Sequence, residues 1–250
     1  MPFLPLLVAL LALAPSPAPA APPTGAAKTT KSWDHWYTVT LLPGTRYAYY
    51  HETLEKNRGR LHFKTEMWKK EEGFINSEQL GVFSEDNADL TPLFYNFHAT
   101  YRESEASIDG TAASGRLQIR IRRNGAELPV LNRGLPGKAF FSSLFPVWMS
   151  RRLRELPAGA AESASIAFTA ILEDNQDAGF PAETGRLQVA TPDDYAKSSK
   201  SLRVLVDFNS QKSTWYLDQS GAPVRIEIPA QNTRVERVTE KQARSFLENP

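Results

Sequence analysis

From about Trp33 onward the chain alternates. In RLHFKTEMW, residues 60 to 68, Leu61, Phe63, Thr65 and Met67 fall on one side and Arg60, His62, Lys64 and Glu66 on the other. A period of two with charges on one side marks a strand that is buried on one face and wet on the other. YNFHATYR repeats the pattern, setting Tyr95, Phe97, Ala99 and Tyr101 against His98, Thr100 and Arg102. In RLQIRIRR, Leu117, Ile119 and Ile121 oppose Arg116, Gln118, Arg120 and Arg122. ASIAFTAIL, TGRLQVAT and SLRVLVDFN are further strand candidates at short spacing. STWYLDQSGAPVRIEIP, residues 213 to 229, reads as a hairpin. Trp215 and Leu217 point one way and Thr214 and Tyr216 the other, Asp218, Ser220 and Gly221 supply the turn, and Val224, Ile226 and Ile228 alternate with Arg225 and Glu227. The pattern predicts an antiparallel sheet with one solvated face.

Two stretches carry a helical period instead. In KAFFSSLFPVWMSRRLREL, residues 138 to 156, Phe141, Leu144, Phe145, Trp148 and Leu153 approach helical spacing, and Arg151, Arg152 and Arg154 crowd the end, where cations suit the helix dipole. Pro146 inside that pattern predicts a kink or a break. TEKQARSFLEN near the C-terminus predicts a short amphipathic helix, capped by Thr239 and docking Phe246 and Leu247 on the sheet. The fold class expected is mostly β (α+β), a curved antiparallel sheet or half-barrel covered by one or two helices. No internal repeat suggests a solenoid or a propeller.

The first twenty residues do not fit this picture. Phe3 to Ala14 is an uncharged apolar run, too short to span a bilayer, followed by a Pro/Ala stretch in which Ala18 and Ala20 are small enough for a signal peptidase. Residues 1–20 are therefore expected to be an export signal, with an uncleaved amphiphilic anchor as the alternative, although no Lys or Arg precedes the apolar run. Residues 21–32 are expected to be a flexible lead-in, and residues 33–250 a single half-barrel domain. No transmembrane segment is expected in the mature chain.

Composition narrows the function. The 250 residues contain no cysteine, which removes disulfides, thiolate metal sites, cysteine nucleophiles and a lipidated N-terminal cysteine. Lys plus Arg at 29 nearly balance Asp plus Glu at 28, so there is no basic footprint for nucleic acid. An exported chain large enough to bury a core without disulfides fits the periplasm of a Gram-negative bacterium.

Candidate chemistry is sparse. HETLE, residues 51 to 55, begins like a zinc-protease helix, but Glu55 stands where the second histidine belongs. His62 and His98 occupy wet faces of predicted strands and meet only if those strands are neighbours. There is no nucleophile elbow, P-loop or dinucleotide fingerprint. In LEDNQDAGF, Glu173, Asn175 and Asp177 alternate as in a calcium loop, yet Ala178 replaces the required glycine. A second acidic loop, SEDNAD, occupies residues 84 to 89, and both loops read better as solvated turns. The arginines of RLQIRIRRN and SRRLRE offer a basic patch for phospholipid head groups, or simply the wet sides of a strand and a helix. No catalytic residue, metal site or cofactor is expected. The crowding of Phe140, Phe141, Phe145 and Trp148 in one segment is the strongest signal: they either complete the core or line a greasy cleft under the sheet.

The order of these elements, from RYAYYHETL and RLHFKTEMW through the aromatic segment to WYLDQSGAPVRIEI, resembles the LolA/LolB-like family of bacterial periplasmic proteins and its uncharacterised secreted relatives. The resemblance implies one curved antiparallel sheet wrapping helices around an apolar cavity, which shelters acyl chains in the carriers. The favoured reading is a non-enzymatic binding protein for a lipid, acyl chain or other hydrophobic group, with Phe140, Phe141, Phe145, Trp148, Trp215 and Leu217 expected as ligand-binding residues. The alternatives are an envelope module with a filled core that docks a protein partner on an exposed edge, and, less favoured, a hydrolase using His62 or His98. No residue diagnostic of the carriers is matched, so fold does not bring activity with it.

Overall fold

A computed structural model describes residues 30–71, 73–156, 165–173 and 179–248, with side chains to residue 245. The proposed signal and most of the lead-in lie outside these residues. The chain first lays down β1 (Thr30–Leu41), β2 (Thr45–Asn57), β3 (Arg60–Glu71), β4 (Phe74–Glu85) and β5 (Pro92–Tyr101). It continues through β6 (Ser104–Ala113), β7 (Arg116–Arg123), β8 (Ala126–Glu127) and β9 (Leu131–Gly134). Two-residue β10 (Phe140–Phe141) and a 3₁₀ turn lead into α1 (Phe145–Arg154). The second arm comprises β11 (Ser165–Ile171), β12 (Ala182–Val189), α2 (Asp194–Ser199), β13 (Leu202–Phe208), β14 (Gln211–Leu217), β15 (Pro223–Ile228), β16 (Thr233–Val238) and α3 (Glu240–Glu248).

Among the described residues all sixteen strands join one sheet, in the order β10 through β16, then β1 through β8, with β9 beside β7. Neighbours pair antiparallel except β10 and β11, which run parallel. The two arms meet where β16 pairs β1, Val235 opposite Val39. Hairpins explain the meander locally: Ser114–Gly115 and Asn124–Gly125 adopt left-handed φ at both positions, the geometry of tight turns that match strand twist.

One large open curved antiparallel sheet with few helices is the expected fold class. Period-two burial is cleanest in β7, where Leu117, Ile119 and Ile121 are buried and Arg116, Gln118, Arg120 and Arg122 are exposed. The predicted hairpin forms with Trp215 opposite Ile226 and a bulge before Leu217.

Local features differ from the sequence reading. The strand begins at Thr30, so Thr30 to Ser32 of the lead-in already belong to β1, with Thr30 opposite Lys56. The helix expected over residues 138 to 156 is shorter. Phe140 and Phe141 extend alongside Ala170 and Ile171, and the α-helix starts only at Phe145. Pro146 sits in its first turn, where the missing N–H costs nothing, so the helix neither kinks nor breaks there. A third helix, α2, was not legible as one. The Asp193 side chain accepts from the Ala196 N–H at its start, and left-handed Lys200 ends it.

That helix changes one face of the hairpin. Tyr216, read as pointing to the wet side, is buried because α2 covers it: Tyr195 packs edge-on at 4.7 Å and the Tyr216 hydroxyl donates to Asp193. On the same outer side α3 is capped as expected, Thr239 accepting from the Gln242 N–H while Gln242 accepts from the Thr239 N–H. It docks through Ala243 on Tyr49, Trp36 and Trp68. Phe246 and Leu247 lie outside the described side chains.

Candidate functional site

The inner face of the sheet wraps α1. From Phe145 to Ser150 six successive residues are buried, so the first half of this helix is enclosed all round rather than amphipathic. Its cluster takes residues from β1 to β7 on one arm and β11 to β14 on the other. Three polar clamps hold it. Asp86 pairs with Lys56 and Arg151, Asp89 with Arg152, and the Ser220 carbonyl accepts from Ser150 and Arg154. Burial raises the Asp86 carboxyl, but the hydrogen bonds from Lys56 and Arg151 outweigh it and hold the group below its ordinary value.

These clamps resolve two sequence readings. The SEDNAD loop spends Asp86 and Asp89 on the arginines of α1, so neither it nor the Arg151–Arg152 pair is a free charged surface. Glu173 accepts from the Ser142 N–H and hydroxyl and from the Ser143 N–H, which occupies the carboxylate suggested for calcium. Asn175 and Asp177 lie outside the described residues, and among those described no cluster of metal-ligating side chains occurs. The histidines do not converge: His62 is registered opposite Phe83 and His98 opposite Gln79, four positions apart along β4. His62 stacks on Phe83 at 4.1 Å.

The six expected ligand residues do come together. Phe140 stacks on Trp148 at 5.2 Å, Phe145 meets Trp215 edge-on at 5.3 Å, and Phe141 meets Tyr95 edge-on at 5.2 Å. Leu217 belongs to the same cluster, and Trp215 packs against it while half-buried. The centre is filled rather than hollow, since Phe140 and Phe141 are 0% exposed. Space lies at its margin. A cleft of about 470 Å³ opens beside Phe140, Trp148, Ile166 and Phe168, with Lys138, Arg152 and Asp89 at its rim.

A second concavity of about 300 Å³ lies on the inner face of β3 to β5. It is lined by Thr65, Met67, Leu80 and Phe97 together with the polar Lys69, Glu78 and Tyr101. The residue that sequence reasoning passed over stands next to it. Glu52, weighed only as part of HETLE, sits on β2 between inward-facing Tyr50 and Leu54, and strand alternation alone puts a carboxylate on the apolar side. Burial pushes this carboxyl up to about 8.

The fold and these concavities define a class: an open antiparallel half-barrel plugged by an aromatic helix, with recesses on its inner side. No family model matches the chain, and no curated protein does. A crystal structure of a DUF1089 family protein from Pseudomonas aeruginosa is similar over 73% of this chain and 90% of that one, at 16% identity and a TM-score of 0.38. Among the described residues no helix is long and apolar enough to cross a membrane.

Proposed function

We propose that the protein is an exported, non-catalytic half-barrel that holds an acyl chain or similar hydrophobic group, as the LolA/LolB-like carriers it resembles do. The observation that carries this reading is the cleft beside Phe140 and Trp148. Its volume of about 470 Å³ falls within the range of small-ligand sites, and its lining joins the aromatic and aliphatic side chains of Trp148, Ile166 and Phe168 to the charged Lys138, Arg152 and Asp89. A chain lying on Ile166 and the exposed edges of Trp148 and Phe168 would keep its polar head near Lys138.

Thr184 is exposed, lines the cleft and lies opposite Thr169 on the outward side of β12, so Thr184→Trp covers the mouth of the cleft without touching the core. A fluorescent fatty-acid probe should bind the parent and bind Thr184→Trp at least tenfold more weakly. Equal binding by both, or none by either, refutes the reading.

One observation favours the second reading, a module that docks a protein partner. Among the described residues Ser165 to Thr169 of β11 pair only with β12, because β10 reaches no further than Ala170 and Ile171. An open strand edge accepts an added strand. A partner strand docked there would survive Thr184→Trp better than a bound chain would.

A further inference from the structure

Among the described residues the inner face carries one buried carboxylate that the fold leaves without a use. Among the described residues Glu52 Oε2 is closed off from solvent and has no hydrogen-bond partner. A buried acceptor without a donor is costly, so an evolved fold places one where something else supplies the donor. The neighbouring charges are already matched. Lys69 lies 2.6 Å from Glu78, which also accepts from the Tyr101 hydroxyl, and Arg237 pairs with Asp218 at 2.7 Å.

Register shows what lies beside this group. Glu52 is opposite Thr65, Thr65 opposite Leu80, and Leu80 opposite Phe97, so the four form one straight row across β2 to β5. The last three line the 300 Å³ groove, and Met67 flanks the row. Three strand spacings separate Glu52 from Phe97, about 14 Å, the reach of an alkyl chain of about ten carbons.

We infer that this groove is a second binding site, which takes an aliphatic primary amine with its ammonium on Glu52 and its chain over Thr65, Leu80 and Phe97. The ligand chemistry follows from charge. With Lys69 and Glu78 neutralising each other, Glu52 is the acid left over, and an ammonium supplies both the missing donor and the missing charge. A carboxylate head group would add a second anion instead.

The other ionisable groups near Glu52 do not substitute for the ligand. On β1, His35 is opposite Glu52, and burial, then Arg237, lower its affinity for protons and keep the ring neutral. Tyr37 on β1 and Tyr50 on β2 are stacked at 4.8 Å, and burial, reinforced by Glu52, raises both hydroxyls. Thr65 and Met67 on β3 carry no charge. Binding an ammonium favours the ionised carboxylate, so affinity should rise between pH 6 and pH 8.

Isothermal titration calorimetry of decylamine, decanol and decanoate tests the site in the parent, in Glu52→Gln and in Thr184→Trp. Decylamine should bind the parent at least tenfold more tightly than either other probe, lose that preference in Glu52→Gln, and keep it in Thr184→Trp. Decylamine binding that is absent, no tighter than decanol, or unchanged in Glu52→Gln overturns the inference. Because Thr184 lines the other cleft, loss of fatty-acid probe binding there leaves this result standing, and the two sites fail separately.

Discussion

Replacing Glu52 with Gln should make the protein more stable, and by an amount that depends on pH. In the folded chain burial moves the carboxyl from its ordinary 4.5 up to about 8, whereas in the unfolded chain it titrates normally. Between these values the folded state holds a proton that the unfolded state has released, so stability falls as pH rises. The contribution is fully favourable below the unfolded value and lost once pH passes the folded one. At about 1.4 kcal/mol per pH unit the whole span amounts to an upper limit on the order of 5 kcal/mol. Glu52 keeps some contact with solvent, so about 2 to 4 kcal/mol is expected. The substituted glutamine does not titrate, and all other titrating groups remain in the variant. Urea midpoints at pH 5, 7 and 8.5 provide the assay, and with a slope of about 3 kcal/mol per molar the variant should gain about 1 M at pH 8.5. At pH 5 the two proteins should nearly coincide. A gap that is the same at pH 5 and pH 8.5 would show that Glu52 is solvated and that the reasoning about its burial is wrong.

Phe141→Ala should cost about 3 to 5 kcal/mol, since its ring is wholly enclosed, whereas Trp148→Ala, facing the cleft on one side, should cost less and weaken acyl-probe binding more. Denaturant midpoints and probe titrations of both variants check this, and equal stability losses with unchanged binding would count against the cleft. Asp86→Asn removes the clamp to Lys56 and Arg151 and should cost about 1.5 to 3 kcal/mol near neutral pH. Because the folded carboxyl is held low, that difference should shrink as pH falls through its value, which thermal melts from pH 7 to pH 3 would reveal. Substituting both His62 and His98 by Gln should leave ligand binding intact, and a specific loss in the folded double variant would reopen a catalytic reading.

Much of the sheet was legible because its outer side is wet. Arg116, Gln118, Arg120 and Arg122 mark β7 as plainly as the buried residues between them do. Where both sides of a strand are covered the signal fails. Tyr216 looked solvent-facing because nothing local to STWYLDQSG announces that Tyr195 and Asp193, some twenty residues earlier, will lie over it. In the aromatic segment, Phe141 fits a helical spacing by coincidence, and the expected helix took in Phe140 beside it. Their strand pairing depends on Ala170 and Ile171, which no local pattern reveals. The convergence of the six aromatic and aliphatic site residues could be anticipated from hydrophobicity alone. The margin where the cleft opens could not, since it depends on where β10 stops covering β11. Glu52 was visible in principle, as a charge at an inward position between Tyr50 and Leu54, but only once the face of β2 was assigned.

Native mass spectrometry of the protein purified from its own cells reads a bound ligand directly. The account predicts a population carrying one added mass of a lipid or acyl-chain compound, which collisional activation releases and which Thr184→Trp abolishes while the fold is retained. A bare chain in the parent, with no uptake of added fatty acid, would contradict it.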